Sequence, residues 1–316
     1  MIDKRVDVFT GISKLPIEMQ TSISDCFNNG GILKSDKVRE ICLELSIGVE
    51  ALMLLLLPVA ECFACAAISS FNVGAVARGV KDGTEGNKGY PNLYLGANFE
   101  YENLSLNFSI HAEQSAVSNA WLNGENTIAS IATSAAPCGH CRQFLYEISG
   151  TKNLSVIIPD ETTKEVYLFD IQTLLPSAFG PKQLGCDELL MQVPTSEPLL
   201  ELKKIVYDEL ISKTLEQAKL SYAPYTKNYA ACSIELNNGS VFFGRYAENA
   251  AHNPSLSAFS SAVSQVVMSQ YEPLLVAGIK RAIFVENSTL SSQKKYAELL
   301  LSNLTNDIEL EYYQAG

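Results

Sequence analysis

The chain has little histidine, three in 316 residues, and little positive charge, 23 Lys and Arg against 35 Asp and Glu. A formal charge of −12 excludes the broad basic face that displaces counterions from a phosphate backbone, so nucleic acid is not the expected partner. The first twenty residues, MIDKRVDVFTGISKLPIEMQ, lack the unbroken apolar stretch of a secretory signal. Nor is there a run long enough to span a membrane, because ALMLLLLPVAECFACAAI is broken by Pro58 and Glu61. These absences predict a cytoplasmic chain with no membrane segment. In that reducing compartment the eight Cys are expected as thiols, not as a disulfide framework.

What is present suits a globular protein. With 47% hydrophobic and 18% charged residues the chain can build packed cores, and its length suits two domains of about 150 residues. Residues 1–50 carry helical spacing and read as an N-terminal helical segment, followed by the apolar helix LMLLLLPVAECFACAAISS packed on a sheet. FNVGAVARGV and YLGANFE read as strands flanking the Gly-rich loop KDGTEGNKGYPN. No helix follows those glycines, so no phosphate cradle is implied. A helix from Glu113 to the stop at Gly124, the strand TIASIATSA, a helix opened by Cys138 and the strand NLSVIIP give an α/β order.

PSAFGPKQLG, residues 176–185, reads as a linker, with the boundary near 190: a unit over 51–190 and a second over 191–316. A helix is predicted near 198–220. Beyond it the strands YAACSIEL and SVFFGRYAE, the helix LSAFSSAVSQVVMSQ, the strand RAIFVEN, the helix SQKKYAELLLSN and the strand IELEYY repeat the first half. Aligning AVSNAW at 116 with AVSQVV at 262 puts Ser257 opposite His111 and Phe259 opposite Glu113. Aligning TSAAPCGHCRQF at 133 with VENSTLSSQKKY at 285 puts Leu290 and Gln293 opposite Cys138 and Cys141. The second copy therefore lacks every candidate ligand, and one site per chain is expected.

His111, Cys138 and Cys141 are a donor set suited to tetrahedral zinc with water in the fourth place. Cys138 and Cys141, at i and i+3, share a helix face. At a helix N-terminus, free N–H groups and the dipole stabilise thiolates, and Pro137 suits a helix start. Glu113, two residues after His111, can stay near the same metal only in the first turn of a helix, beside the water rather than as a ligand. Taken alone, Cys-x-x-Cys is often a buried pair and a lone His a core residue; His-x-Glu followed by Pro-Cys-x-x-Cys is the signature of zinc deaminases of nucleobases. Cys62-x-x-Cys65, in an apolar helix without nearby His or Glu, reads as core packing. His140 reads as a hydrogen-bonding or surface residue and His252 as structural.

At HAEQSAVSNAW and PCGHCRQF, and in FNVGAVARGV, LGANFE, AFGPK and YAENAAHNP, the sequence resembles the long, homodimeric cytidine deaminases. The resemblance implies two tandem three-layer α/β/α domains with mixed sheets, the second degenerate. It implies one Zn²⁺ per chain on His111, Cys138 and Cys141, with Glu113 as proton shuttle. It further implies a nucleoside substrate in pyrimidine salvage, met by Phe71, Asn98, Phe99, Glu100 and the backbone of Ala112. Asn98 and Glu100 would take the ribose hydroxyls, and Phe179 would reach the site of the other subunit. The alternatives are a zinc deaminase of a nucleotide or of cytosine in nucleic acid, and a non-enzymatic protein with structural zinc. Arg142 is expected to draw electron density from the sulfurs.

Overall fold

The computed structural model describes residues 20, 23, 29–82, 89–148, 154–160, 162–163, 165–193, 198–204, 206–269, 278–287 and 289–316. Most of the helical segment expected before residue 29, with Cys26, and the tip of the Gly-rich loop lie outside them. Where the N-terminal segment is described it gives a two-residue strand, β1 (Ile32–Leu33), then helices α1 (Ser35–Glu44) and α2 (Val49–Glu61). The helix α2 runs through Pro58 and ends before Cys62, so Cys62 caps it and Cys65 lies outside, bridged to Phe99. The pair expected within one helix is thus split.

The first sheet then forms from β2 (Gly74–Asp82), β3 (Pro91–Ala97), β4 (Ile128–Thr133), β5 (Ser155–Pro159) and β6 (Val166–Asp170), in the order β1-β3-β2-β4-β5-β6. The pair β4–β5 is parallel and the other pairs antiparallel, so the sheet is mixed. Alternation decides which face each side chain joins. Val76, Ala132 and Ile157 pack under α2, while Ala75, Ala77, Ile131 and Val156 face the opposite core with α3 (Ala112–Leu122) and α4 (Gly139–Tyr146). This is a three-layer α/β/α sandwich.

A short helix α5 (Ile171–Leu174) and a 3₁₀ turn at Pro181–Leu184 lead to the second half. Residues 176–185, expected as a linker, are held against the first half: Gln143 Nε2 donates to Phe179 O at 2.7 Å, and Leu190 N donates to Glu147 O at 3.0 Å. The helix predicted from 198 begins only at α6 (Glu209–Lys219). There the side chain of Asp208 accepts from the N–H groups of Leu210 and Ile211 and starts it. Four strands follow, β7 (Ala230–Leu236), β8 (Val241–Arg245), β9 (Ile279–Glu286) and β10 (Glu311–Gln314), with helices α7 (Ala258–Ser269) and α8 (Lys294–Leu304). The order β8-β7-β9-β10, with β9–β10 parallel, reproduces β3-β2-β4-β5.

The two copies meet through α3 and α7 about an approximate two-fold axis. Ser118 Oγ lies 2.8 Å from Ser261 Oγ, and Ser264 Oγ 2.8 Å from Ser115 Oγ, a reciprocal exchange. One apolar core runs through both helices and the facing sides of both sheets. The fully buried Glu147 of the first half is held by Tyr222 Oη (2.9 Å), Tyr225 Oη and Ala250 N (3.1 Å) of the second, and burial raises its pKa.

In each copy one glycine lets the central helix lie on the sheet. A Cβ on Gly96 would stand 2.1 Å from Ala116 N and 2.5 Å from Ala112 O; one on Gly244 would stand 2.1 Å from Ala262 N and 2.4 Å from Ala258 O. Among the described residues no single helix is long and apolar enough to cross a membrane; α1 and α2 pass such a test only together, bent by 105°. Gly96→Ala and Gly244→Ala should each cost about 2 kcal/mol or more, since backbone must move to admit the methyl. Urea unfolding of both variants checks this, and a change below about 0.5 kcal/mol contradicts the close approach.

Candidate metal centre and active site

The centre is built where two helices begin. His111 is the cap residue of α3, extended at φ −86°, ψ 151°, and Cys138 the cap residue of α4, at φ −68°, ψ 170°. Both side chains therefore sit at helix starts whose first N–H groups have no partner within the helix. Cys141, one turn into α4, is buried below them. Cys138 Sγ lies 3.6 Å from His111 Nδ1 and 3.7 Å from Cys141 Sγ, and the three donor atoms fall within 4.8 Å of one another. Tetrahedral ligands on zinc bonds of about 2.0–2.3 Å stand about 3.3–3.8 Å apart. The donor set fits zinc in both chemistry and spacing.

The electrostatics agree. The Cys141 thiol and His111 hold the Cys138 thiol down to about 3, so it is a thiolate, whereas hydrogen bonding to Cys138 and burial push Cys141 well up. Two adjacent sulfurs thus share one proton until a cation displaces it. Burial pulls the His111 imidazole down, but the Cys138 thiolate outweighs it and raises the ring above its usual value. Glu113, in the first turn of α3, is 4% exposed and lies against Cys141; burial raises its carboxyl, which suits a group that must carry a proton near neutrality.

A cavity of about 310 Å³ opens at the metal ligands and is lined by Phe71, Asn98, Glu100, His111, Ala112, Glu113 and Cys138 together with Ser69, Val73, Leu106, Ser109, Ile110, Ala135 and Ala136. The last seven were not singled out in the sequence, since small and apolar residues carry no chemical signature there. Asn98 and Glu100 stand just beyond the end of β3. Asn98 Oδ1 accepts from Val73 N at 2.8 Å and its Nδ2 donates to Phe71 O at 2.9 Å. Phe71 is 61% exposed at the rim.

Three expectations need correction. Phe99, expected at the substrate, does not line the cavity: its ring is buried edge-on against Tyr101 at 4.9 Å, because strand alternation turns it away from Asn98 and Glu100. Arg142, expected to act on the sulfurs, donates from Nε to Pro137 O (2.8 Å) and from Nη1 to Leu174 O (3.0 Å), tying the start of α4 to the segment after β6. His140 is no simple surface residue, since its ring stacks on His111 at 4.7 Å. Phe179, 45% exposed, lies outside this chain's own cavity.

The second copy shows what replaces the metal. Ser257 caps α7 opposite His111, its Oγ accepting from Ser260 N at 3.0 Å, and the fully buried Phe259 stands opposite Glu113. The helix start opposite Cys138 is Gln293, not Leu290. The loop from Phe284 to Gln293 is four residues longer than that from Thr133 to Cys138, and Leu290 lies in it, almost fully exposed. Gln293 Oε1 accepts from Ala258 N (3.2 Å), bridging the two helix starts, and its own N–H donates to the buried Glu286 (2.9 Å), which also accepts from Asn228 (3.0 Å) and Tyr312 (3.0 Å).

An α/β/α sandwich with one imidazole and two sulfurs at apposed helix starts, and a buried carboxyl alongside, defines a zinc hydrolase with one such centre among the described residues of a duplicated chain. Residues 49–158 and 171–298 each match the family described as the cytidine and deoxycytidylate deaminase zinc-binding region. Proteins named cytidine deaminase are 36% identical over 304 residues in Aliivibrio fischeri (95% of each chain), 40% over 278 in Aeromonas hydrophila (88% of this chain, 87% of that one) and 36% over 286 in Haemophilus influenzae (90% of each). The chain belongs to the cytidine deaminase family.

Because Cys141 keeps its proton in the absence of metal, zinc uptake must expel it, and apparent affinity should fall as pH drops through neutrality, by about tenfold per unit for each proton displaced. Titration of chelator-stripped protein with zinc in a weakly buffered indicator solution should show proton release; none at pH 7 would contradict the shared proton.

Proposed function

We propose that the chain hydrolyses the exocyclic amine of cytidine and 2′-deoxycytidine, giving uridine or 2′-deoxyuridine and ammonia, with one zinc per chain held by His111, Cys138 and Cys141. The observation that carries this reading is the buried Glu113 beside three donor atoms gathered within 4.8 Å. A structural zinc is normally closed by four protein ligands, and three with a carboxyl alongside suit catalysis better. The family relatives named above support the substrate.

When bound there, zinc supplies the acidification of water, from a pKa of 15.7 to about 7. Glu113 does the proton work. Its carboxylate takes the proton that water loses, delivers it to N3 of the ring as the water oxygen adds to C4, then carries the second proton to the amino nitrogen, which departs as ammonia. Ala112, in the first turn of α3, offers a backbone N–H to the base edge. Asn98 and Glu100 serve the ribose end, and Phe71 covers the base.

No Lys or Arg is among the residues lining the cavity, which favours a nucleoside over a nucleotide. The charge of −12 disfavours nucleic acid as substrate. We further read the chain as a cytoplasmic homodimer in which Phe179 reaches the neighbouring site, with the catalytic unit over 51–190 and the degenerate one over 191–316.

Glu113→Ala should retain zinc and lose on the order of 10² to 10⁴ in turnover, the scale of general acid–base catalysis. Loss of cytidine absorbance in the ultraviolet, read beside metal content per chain, tests this; loss of zinc together with activity would remove Glu113 from the proton-carrying role.

A further inference from the structure

The second copy has lost the metal ligands without closing the space they served. A cavity of about 310 Å³, equal in volume to the first, opens at the starts of α7 and α8. The bridge between Ala247 and Leu256 repeats the bridge between Phe99 and Ile110, so Tyr246 stands opposite Asn98 and Leu256 opposite Ile110. Tyr246, Leu256, Ser257 and Gln293 line this second cavity, and the first half closes it with Asn107, Phe108, Ser109, Gln114 and His140. Both copies therefore bound one hollow.

Its lining differs in kind from that of the catalytic cavity. No Asp, Glu, Lys or Arg is among the residues that line it, whereas Glu100 and Glu113 line the first. Aromatic rings come from both halves, Phe108 meeting Tyr296 at 5.4 Å with a tilt of 38°. The hydroxyls of Ser255, Ser257 and Ser260 and the amide of Gln293 add donors and acceptors. The side chains of Asn107, His140, His252 and Asn253 line it too, and none of the four is hydrogen-bonded to another described residue. The Ser109 hydroxyl, on the wall shared with the first cavity, is buried without a hydrogen-bond partner among the described residues. Where the proton carrier was lost, Phe259 fills its place by packing; the polar heads around the hollow have no such filling.

We propose that this cavity is a second, non-catalytic binding site for an uncharged pyrimidine nucleoside. Without a cation in the lining a phosphate would be desolvated unpaired, and without a carboxylate a cationic ligand would be, so the occupant is neutral. Flat rings beside mixed donors and acceptors suit a heterocyclic base, and hydroxyl and amide heads suit a sugar. The volume equals that of the cavity read above as the nucleoside site. Among the described residues the one metal donor set is that of the first copy, so the occupant is held here and not converted. It is held close to the centre: His140 stacks on His111 at 4.7 Å, and Gln114 accepts from His111 N at 3.3 Å. Binding here goes beyond the activity read at the zinc cavity and does not require it.

Equilibrium dialysis of the zinc-loaded full chain against labelled uridine, which the proposed reaction leaves unchanged, tests this beside Asn253→Trp and Asn107→Trp. Each substitution puts an indole into the second cavity, one from each half, and neither residue lines the first. Wild type should bind uridine at the second cavity with a Kd of about 1 mM or tighter, and each Trp variant should weaken that event at least about tenfold. Uridine 5′-monophosphate should bind there at least about tenfold more weakly than uridine. Uridine binding that neither Trp variant weakens, or a monophosphate held as tightly as uridine in the event those variants remove, overturns the proposal. Should neither variant fold, wild-type crystals soaked in uridine decide: a nucleoside against Phe108 and Tyr296 supports the site, and an empty second cavity overturns it. The Trp variants leave the zinc cavity's own binding in place, so failure there and failure here are read apart.

Discussion

The structure depends on the meeting of two helix N-termini. The start of α3 brings His111 and Glu113, and the start of α4 brings Cys138 and Cys141, so unpaired N–H groups and the positive ends of two helix dipoles converge where sulfur must carry negative charge. Where the helices begin is set behind them. The helix α3 rests on β3 across Gly96, and α4 follows β4 by a tight loop whose carbonyls Arg142 and Thr133 engage. Fixed backbone thus gathers the ligands before any cation arrives, which preorganises the centre.

The second copy shows that this junction outlives its metal. With Ser257 in place of the imidazole the helix gains an ordinary cap, and with Gln293 in place of a sulfur a neutral amide spans the gap that zinc would bridge. Phe259 replaces the carboxyl by packing. The apposed helix starts are therefore a property of the fold, and the metal is one of two ways of satisfying them.

Much of this was legible in the chain because the decisive signals are local. His-x-Glu and Cys-x-x-Cys fix side chains within one helical turn, and the duplication shows in repeated apolar patterns. Long-range features were less visible. The short β1 and the largely exposed β6 gain their strand character only from a neighbour, as edges of the sheet. The charged residues after 198 have good helix formers, yet the helix waits for the cap at Asp208. Phe99 stands between Asn98 and Glu100 in LGANFE, yet alternation sends it inward. The register of Gln293 is hidden in the sequence, because a lengthened surface loop carries no periodicity.

The apolar core that α3 shares with α7, and the paired serines across it, also bear on what the catalytic half can do by itself. Gln114, whose Oε1 accepts from His111 N (3.3 Å) and whose Nε2 donates to Pro254 O (2.9 Å), fastens the metal-bearing residue to the other copy. A gene shortened to its first two thirds would yield a polypeptide with one flank of its central helix stripped to bare alanine and valine, prone to clump. The silent half is retained as a wall.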